Sequence, residues 1–231
     1  MDDAIETELK LRLPDDAARE RLLALLLRPG IALPEPSLQE NHFFDTEDDA
    51  LRRNECALRL RAEEGRWELA LKGPALSTGD AALHVRGEEQ RTLDARAAAA
   101  VLDGSRSPLD LLEEARPQAS LVRRARELVG RDPLVAKGSF QNERLRLGPE
   151  HLARAWELCL ELDRTTFPGG TIDQELEVEL RESRQAPAVL AALRELLREA
   201  KIEWAPASSK AARLFRILDG DRGGTREPFR V

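Results

Sequence analysis

An α+β fold, a closed eight-stranded antiparallel β-barrel with a polar interior and a cover of helices, is the class this sequence predicts. Three observations carry that expectation. Period-two alternation of apolar and charged residues dominates wherever the chain is not plainly helical, and it yields eight strand segments. The gaps between them hold helical patterns, at least four of them amphipathic, whose apolar stripes need a surface to cover. The polar strand faces are also sorted by sign. A sandwich would turn those faces to water, whereas a closed barrel turns them inward and offers its apolar outer side to the helices.

In chain order, residues 4–13 set Ile5, Thr7, Leu9, Leu11 and Leu13 against Glu6, Glu8, Lys10 and Arg12. A helical pattern at 15–28 follows, then a short strand at 41–46 around His42, Phe43, Phe44 and Asp45. Residues 56–63 and 66–72 alternate on either side of Glu64-Gly65, a hairpin turn. Cys56, Leu58 and Leu60 there oppose Arg59, Arg61 and Glu63, and Trp67, Leu69 and Leu71 oppose Arg66, Glu68 and Lys72. The strand at 83–92 carries His84, Arg86, Glu88 and Gln90 on one face. Helical patterns occupy 94–102, 108–115 and 119–129, and residues 134–147 change phase around Gly138, which predicts a bulge or bend. The last strands, 155–163 and 172–181, place Glu157, Cys159, Glu161 and Asp163, then Asp173, Glu175, Glu177 and Glu179, on their polar faces. Helices at 186–200 and 208–218 complete the pattern. The expectation is one domain over 1–218, with a helical insertion at about 93–133 and a flexible tail at 219–231.

Composition narrows the function classes. With 34% charged and 42% hydrophobic residues the chain is neither disordered nor membrane-spanning, since its longest apolar run is Leu22–Leu27. A net charge of −7 argues against general nucleic-acid binding. The start Met-Asp-Asp has no secretory character, so a cytoplasmic protein is expected. Cys56 and Cys159, the only cysteines, fall on opposite strand faces, which argues against a disulfide. Only five of the 36 basic residues are lysine (Lys10, Lys72, Lys137, Lys201 and Lys210), so each invites a reason.

Pooled by strand, the acids Glu6, Glu8, Glu161, Asp163, Glu175 and Glu177 gather on the terminal strands, and Arg59, Arg61, Lys72 and Arg86 on the central ones. Closure predicts a carboxylate-rich wall facing a basic one. Residues at i and i+2 of a strand lie on one face about 6.6–6.8 Å apart. Glutamates so spaced repel unless a cation sits among them. The donors are oxygens and the three histidines are scattered, so one or two Mg²⁺ or Mn²⁺ ions are favoured over zinc. The basic groups in turn suit a polyanion such as a metal-bound polyphosphate.

Taken in order, Glu6-x-Glu8-x-Lys10, Phe43-Phe44-Asp45-Thr46, Leu58-Arg59-Leu60-Arg61, Leu71-Lys72-Gly73-Pro74, Arg86-x-Glu88 and Glu175-x-Glu177 resemble the signature of the triphosphate tunnel metalloenzymes, also called the CYTH superfamily, over roughly residues 4–216. Residues 138–144, Leu160-Glu161-Leu162-Asp163 and Ser208-Ser209-Lys210 are most similar to the plant and bacterial branch that hydrolyses inorganic tripolyphosphate. The resemblance implies an eight-stranded tunnel in which Glu6, Glu8, Asp163, Glu175 and Glu177 hold the metal and Glu88 assists it or orients basic groups. It implies that Lys10, Arg59, Arg61, Lys72, Arg86, Arg144 and Lys210 grip the triphosphate. Lys137, whose facing the phase change leaves open, is added to that set. Glu6 or Glu8 is expected to orient the attacking water, with Lys72 beside them in the catalytic group. The expected partner is a small-molecule triphosphate, with no nucleic acid and no membrane, for a monomer or homodimer. Other members of the family are thiamine triphosphatases and class IV adenylate cyclases, and a non-catalytic polyphosphate binder is the rival outside enzymes. A nucleotide or thiamine ring needs a stacking platform; the chain has no Tyr, and of its three Trp only Trp204 is placed to offer one.

Overall fold

The computed structural model describes residues 4–220 apart from 77 and 155; the expected tail lies, from 221 onward, outside the described residues. In chain order the elements are β1 (Ile5–Leu13), α1 (Asp16–Leu26), β2 (Ser37–Asp45), β3 (Ala57–Glu63), β4 (Arg66–Ala75), β5 (Leu83–Leu93), α2 (Ala95–Leu102), α3 (Pro108–Ala115), α4 (Ser120–Val129), β6 (Val135–Leu147), β7 (Leu160–Thr166), β8 (Ile172–Glu179), α5 (Ala186–Glu199), β9 (Ala205–Pro206) and α6 (Lys210–Leu218). The strands are hydrogen-bonded in the order β5-β4-β3-β2-β6-β7-β8-β1, and β5 pairs in turn with β1. Eight antiparallel strands thereby close into a barrel, with β9 added to β1 at Leu11 and Arg12. Among the described residues, closure pairs each of these eight strands on both sides, β9 lying beside β1.

The chain forms two compact units, one of residues 4–6, 39–76 and 86–141 and one of 7–38, 78–85 and 142–220. In the first, the apolar phase of β3 and β4 (Leu58, Leu60, Leu69, Leu71) packs on α2, α3 and α4 through Val101, Leu109, Leu112, Val122 and Val129. In the second, Leu9, Leu11, Leu145, Leu147, Leu160, Leu162, Leu176 and Val178 pack on α1 and α5 through Leu22, Leu26, Leu190, Leu193 and Leu197. Truncating any of these fully buried leucines to Ala costs about 2–5 kcal/mol, which is why the apolar phase of each strand is fixed.

Local chemistry sets the boundaries. Side chains of Asp15, Asp94, Ser107 and Ser209 accept the backbone N–H three residues on, starting α1, α2, α3 and α6. The β3–β4 turn places Glu64 at φ 50° and Gly65 at φ 77°, both left-handed as a tight hairpin demands. At Gly73 a Cβ would stand 2.9 Å from Leu121 Cδ1 of α4, so a larger residue there makes that side chain shift.

Two strand assignments need correction. β2 begins at Ser37 rather than 41, because its buried face starts with the neutral polar residues Ser37, Gln39 and Asn41 and hydrophobicity does not mark it. β7 runs over 160–166 rather than 155–163: β8 supplies partners only from Leu160 opposite Val178 to Thr166 opposite Ile172. Trp156, expected in that strand, precedes it and packs half-buried on the second unit's core. Cys56 is buried, Cys159 is exposed, and both are free thiols. Among the described residues no helix is long and apolar enough to cross a membrane.

Candidate functional site

Each unit carries its own charged set. In the first, the register puts Arg61 opposite Glu68 and Lys72 opposite Glu88, so alternation aims these side chains to one face. Glu6 of β1 receives Lys72 Nζ at 2.7 Å and Arg86 Nε at 2.9 Å, and Lys72 also lies 3.3 Å from Glu88. Arg59 and Arg61 share Glu68 Oε1, at 3.1 and 2.5 Å. Four cations thus meet three carboxylates. Burial, and then repulsion from Arg61, hold Arg59 down to about 10; its Nε is buried and makes no hydrogen bond. Burial works to raise Glu68, but Arg61 and Arg59 together hold it below its ordinary value.

The second set is acidic. The β7–β8 register sets Glu161 opposite Glu177 and Asp163 opposite Glu175, like charges face to face, an arrangement that destabilises a sheet unless cations separate them. Arg144 of β6 does so from one side, with Nε 2.8 Å from Asp163 Oδ1 and Nη2 2.7 Å from Glu177 Oε2, and it also contacts Glu161. Lys10 lies 2.9 Å from Glu177 and 3.1 Å from Glu8. From α6, Lys210 Nζ lies 2.8, 2.6 and 2.6 Å from Asp163, Glu175 and Glu177. One turn on, Arg213 joins Asp173 at 2.9 Å and Glu175 at 2.7 Å, its guanidinium 5.6 Å from the centre of the Phe167 ring. Six carboxylates meet four enclosed cations here, while Arg12 and Arg146 reach Asp173 and Glu161 from more exposed positions.

Burial disfavours the charges of Asp163, Glu175, Glu177, Lys210 and Arg144, yet mutual attraction prevails at each of them. Lys10, Lys210 and Arg144 hold Glu177 well below the carboxylate range; Lys210 with Arg213 lowers Glu175, and Lys210 with Arg144 lowers Asp163. The same contacts hold Lys210 and Arg144 above their ordinary values. Glu161, unlike Asp163, Glu175 and Glu177, goes up, because burial there outweighs Arg144.

The expected residues are therefore distributed as follows. Glu6, Arg59, Arg61, Lys72, Arg86 and Glu88 come together in the first unit, and Glu8, Lys10, Arg144, Asp163, Glu175, Glu177 and Lys210 in the second. Lys137 joins neither: its ammonium donates to the carbonyls of Thr46 and Glu47 at 3.2 Å and lies 2.7 Å from Asp49, tying down the loop after β2. Asp45 has a similar local duty, accepting the N–H groups of Thr46, Leu51 and Arg52. Sequence reasoning missed Arg213, although its spacing of three from Lys210 puts both on one helix face, and Glu68, the acceptor for both arginines.

Asp163, Glu175 and Glu177 each offer one buried carboxylate oxygen, all within 4.8 Å of one another. A set of oxygens only, without His or Cys, fits a hard divalent cation.

Compared with known families, residues 4–215 match the CYTH domain. This chain belongs to the CYTH domain family. Among solved structures this CYTH domain is similar to HpAC1 from Hippeastrum, titled "Putative adenylyl cyclase HpAC1 from Hippeastrum reveals a dominant triphophatase activity", with TM-score 0.70 and 25% identity over 97% of this chain and 98% of that one. A "putative adenylate cyclase" from Bacillus halodurans shares the fold with TM-score 0.66 and 24% identity, over 91% of this chain and 98% of that one. A 37-residue stretch is 49% identical to the "Putative triphosphatase YjbK" of Bacillus subtilis, spanning 16% of this chain and 20% of that relative's length.

Proposed function

We propose that this CYTH domain hydrolyses inorganic tripolyphosphate to pyrophosphate and phosphate with Mg²⁺ or Mn²⁺ bound. The observation that carries this reading is the buried group of Asp163, Glu175 and Glu177, a hard-ion donor set, in a chain that also holds a basic set with more cations than carboxylates. A divalent ion, when bound, screens phosphate oxygens and acidifies an attacking water. Phosphoryl transfer asks a protein mainly for position and charge. Arg59, Arg61, Lys72 and Arg86 bind the phosphate oxygens, and Arg59, under-neutralised by Glu68, gains most from an arriving anion. Asp163, Glu175 and Glu177 hold the cation, and Lys10 and Arg144 keep their carboxylates ordered. Both oxygens of Glu6 are taken by Lys72 and Arg86. Glu8 lies 3.1 Å from Lys10, so Glu6 and Glu8 are both engaged in ion pairs; one of the two orients the water, and Lys72 acts on charge developing at the phosphate.

An inorganic substrate is favoured over a ring-bearing one by the fate of the tryptophans. Trp67 packs on the first core, and Trp156 and Trp204 on the second. Arg194 lies 5.2 Å over the Trp204 ring and so occupies one of its two stacking faces.

Purified protein with Mg²⁺ or Mn²⁺ is expected to release phosphate from tripolyphosphate and to stop on addition of EDTA. Parallel assays with thiamine triphosphate and ATP, scored for phosphate and cyclic AMP, are expected to be slower and free of cyclic nucleotide. Phosphate release indifferent to EDTA, or cyclic AMP as the main product from ATP, overturns the assignment; binding of tripolyphosphate without any turnover makes the domain a binder instead.

A further inference from the structure

Lys210 is placed against the local electrostatics. It is the first residue of α6, whose N-terminus carries the positive end of the helix dipole, so a cation there is disfavoured by the helix itself. Ser209 caps that end through the N–H of Ala212 at 3.2 Å, so the helix does not need Lys210 to start. The ammonium instead stands where Asp163 Oδ2, Glu175 Oε2 and Glu177 Oε1 converge, within 2.6–2.8 Å of all three. These are the residues whose oxygens also make the hard-ion group. An ion bonded to these oxygens sits at about 2.0–2.1 Å from each if it is Mg²⁺. That geometry leaves it and Nζ too close for a divalent and a monovalent cation to coexist.

We infer that Lys210 is a built-in competitor of the divalent ion: its ammonium and the metal take turns at the same three carboxylates, and metal entry sends the lysine outward. This rests on the metal-site reading given under Proposed function. The scaffold suits such an exchange. Lys210 can swing on its four-carbon stem while the Ser209 cap holds the helix. Arg213 keeps Glu175 bridged to Asp173, and Arg144 with Lys10 keeps Glu177 and Asp163 ordered, after the lysine has left. Once displaced, the ammonium becomes available to phosphate oxygens, so a residue that blocks metal in the resting protein serves substrate in the loaded one.

Two measurements on the full chain test this without assaying turnover. Mn²⁺ binding is followed by electron paramagnetic resonance of the free ion for the parent protein and for Lys210→Met. The variant is expected to bind about 5- to 150-fold more tightly, the range in which free energies of coupling between two binding events typically fall. Equal or weaker binding by a folded variant overturns the inference while leaving the metal site standing; absence of Mn²⁺ binding in both proteins overturns the inference and the metal-site reading together. Should Lys210→Met fail to fold, the parent protein decides alone. Acylation of its lysines by acetic anhydride, read by mass spectrometry against exposed Lys201, is expected to modify Lys210 several-fold faster with saturating Mg²⁺ than with EDTA. An unchanged ratio overturns the exchange.

Discussion

Arg59 in the first unit and Lys210 in the second are both enclosed cations beside carboxylates, yet they are driven in opposite directions. Arg59 has Arg61 as its neighbour and shares a single Glu68 oxygen with it, so burial wins and its proton is held more weakly, at about 10. Lys210 meets three carboxylates at once, so attraction wins and its proton is held more tightly than usual. The difference lies in the ratio of charges on the facing strands. The first set is short of negative charge and gains from an anion; the second is short of positive charge and gains from a cation.

The largest effect expected from disturbing this contrast is at Glu177. Glu177→Gln removes the negative charge that Lys10, Arg144 and Lys210 share and turns one of its oxygens into a donor, and removal of one partner from a buried ionic cluster costs about 3–5 kcal/mol in urea denaturation. Phosphate release is expected to fall by about 100-fold or more, since even residues that only orient metal ligands cost up to that much. Next comes a matched pair. Arg144→Met is expected to lose about 3 kcal/mol for the same reason. Arg59→Met, which removes an under-compensated charge, should change stability by less than about 1 kcal/mol and instead raise KM for tripolyphosphate about tenfold, the worth of one charge-assisted hydrogen bond. If the two variants unfold alike, the contrast between the sets is wrong.

Acid provides a milder test. Glu177, Glu175 and Asp163 are held below their ordinary values in the folded protein, burial opposing and the cations prevailing. Their ionised forms stabilise the fold at pH above the unfolded carboxylate values, near about 4, and that contribution disappears as pH falls below them. Glu161 has the other sign: burial raises it, so its ionised form opposes folding at neutral pH and its protonation on acidification is favourable. Urea midpoints are therefore expected to hold between pH 7 and 5 and to drop steeply below about 4. Glu161→Gln should be slightly more stable than the parent at pH 7. The smallest effects belong to local geometry: Ser209→Ala, which loses the α6 cap, and Gly73→Ala, which pushes on Leu121, should each cost about 1 kcal/mol in the same titration.

Much of this was legible because alternation assigns a side chain to a strand face before any neighbour is known. The inward phases of β1, β3, β5 and β8 follow from Glu6, Arg59, Arg86 and Glu177 and the leucines between them. Strand phase does not say which neighbouring strand a side chain will answer to. Glu6 and Glu8 stand two residues apart on one face, yet Lys72 and Arg86 claim the first and Lys10 the second. The facing of Lys137 stays open in the sequence because the phase breaks at Gly138. β2 was cut short because Ser37, Gln39 and Asn41 are buried without being apolar. Arg213 required knowing that α6 lays its first turn against β8, a contact between distant parts of the chain that no window of sequence contains.

The face-to-face acids of β7 and β8 bear on how this unit is assembled during synthesis. A nascent chain that has emerged only as far as α5 carries Glu161 against Glu177 and Asp163 against Glu175, with Lys210 and Arg213 still to come. Lys10 and Arg144 offset part of that repulsion, and Glu175 waits for Lys210 and Arg213 until α6 is delivered. Consolidation of the acidic half is thereby tied to the arrival of residues 210–218, which are made well after the strands whose charges they offset.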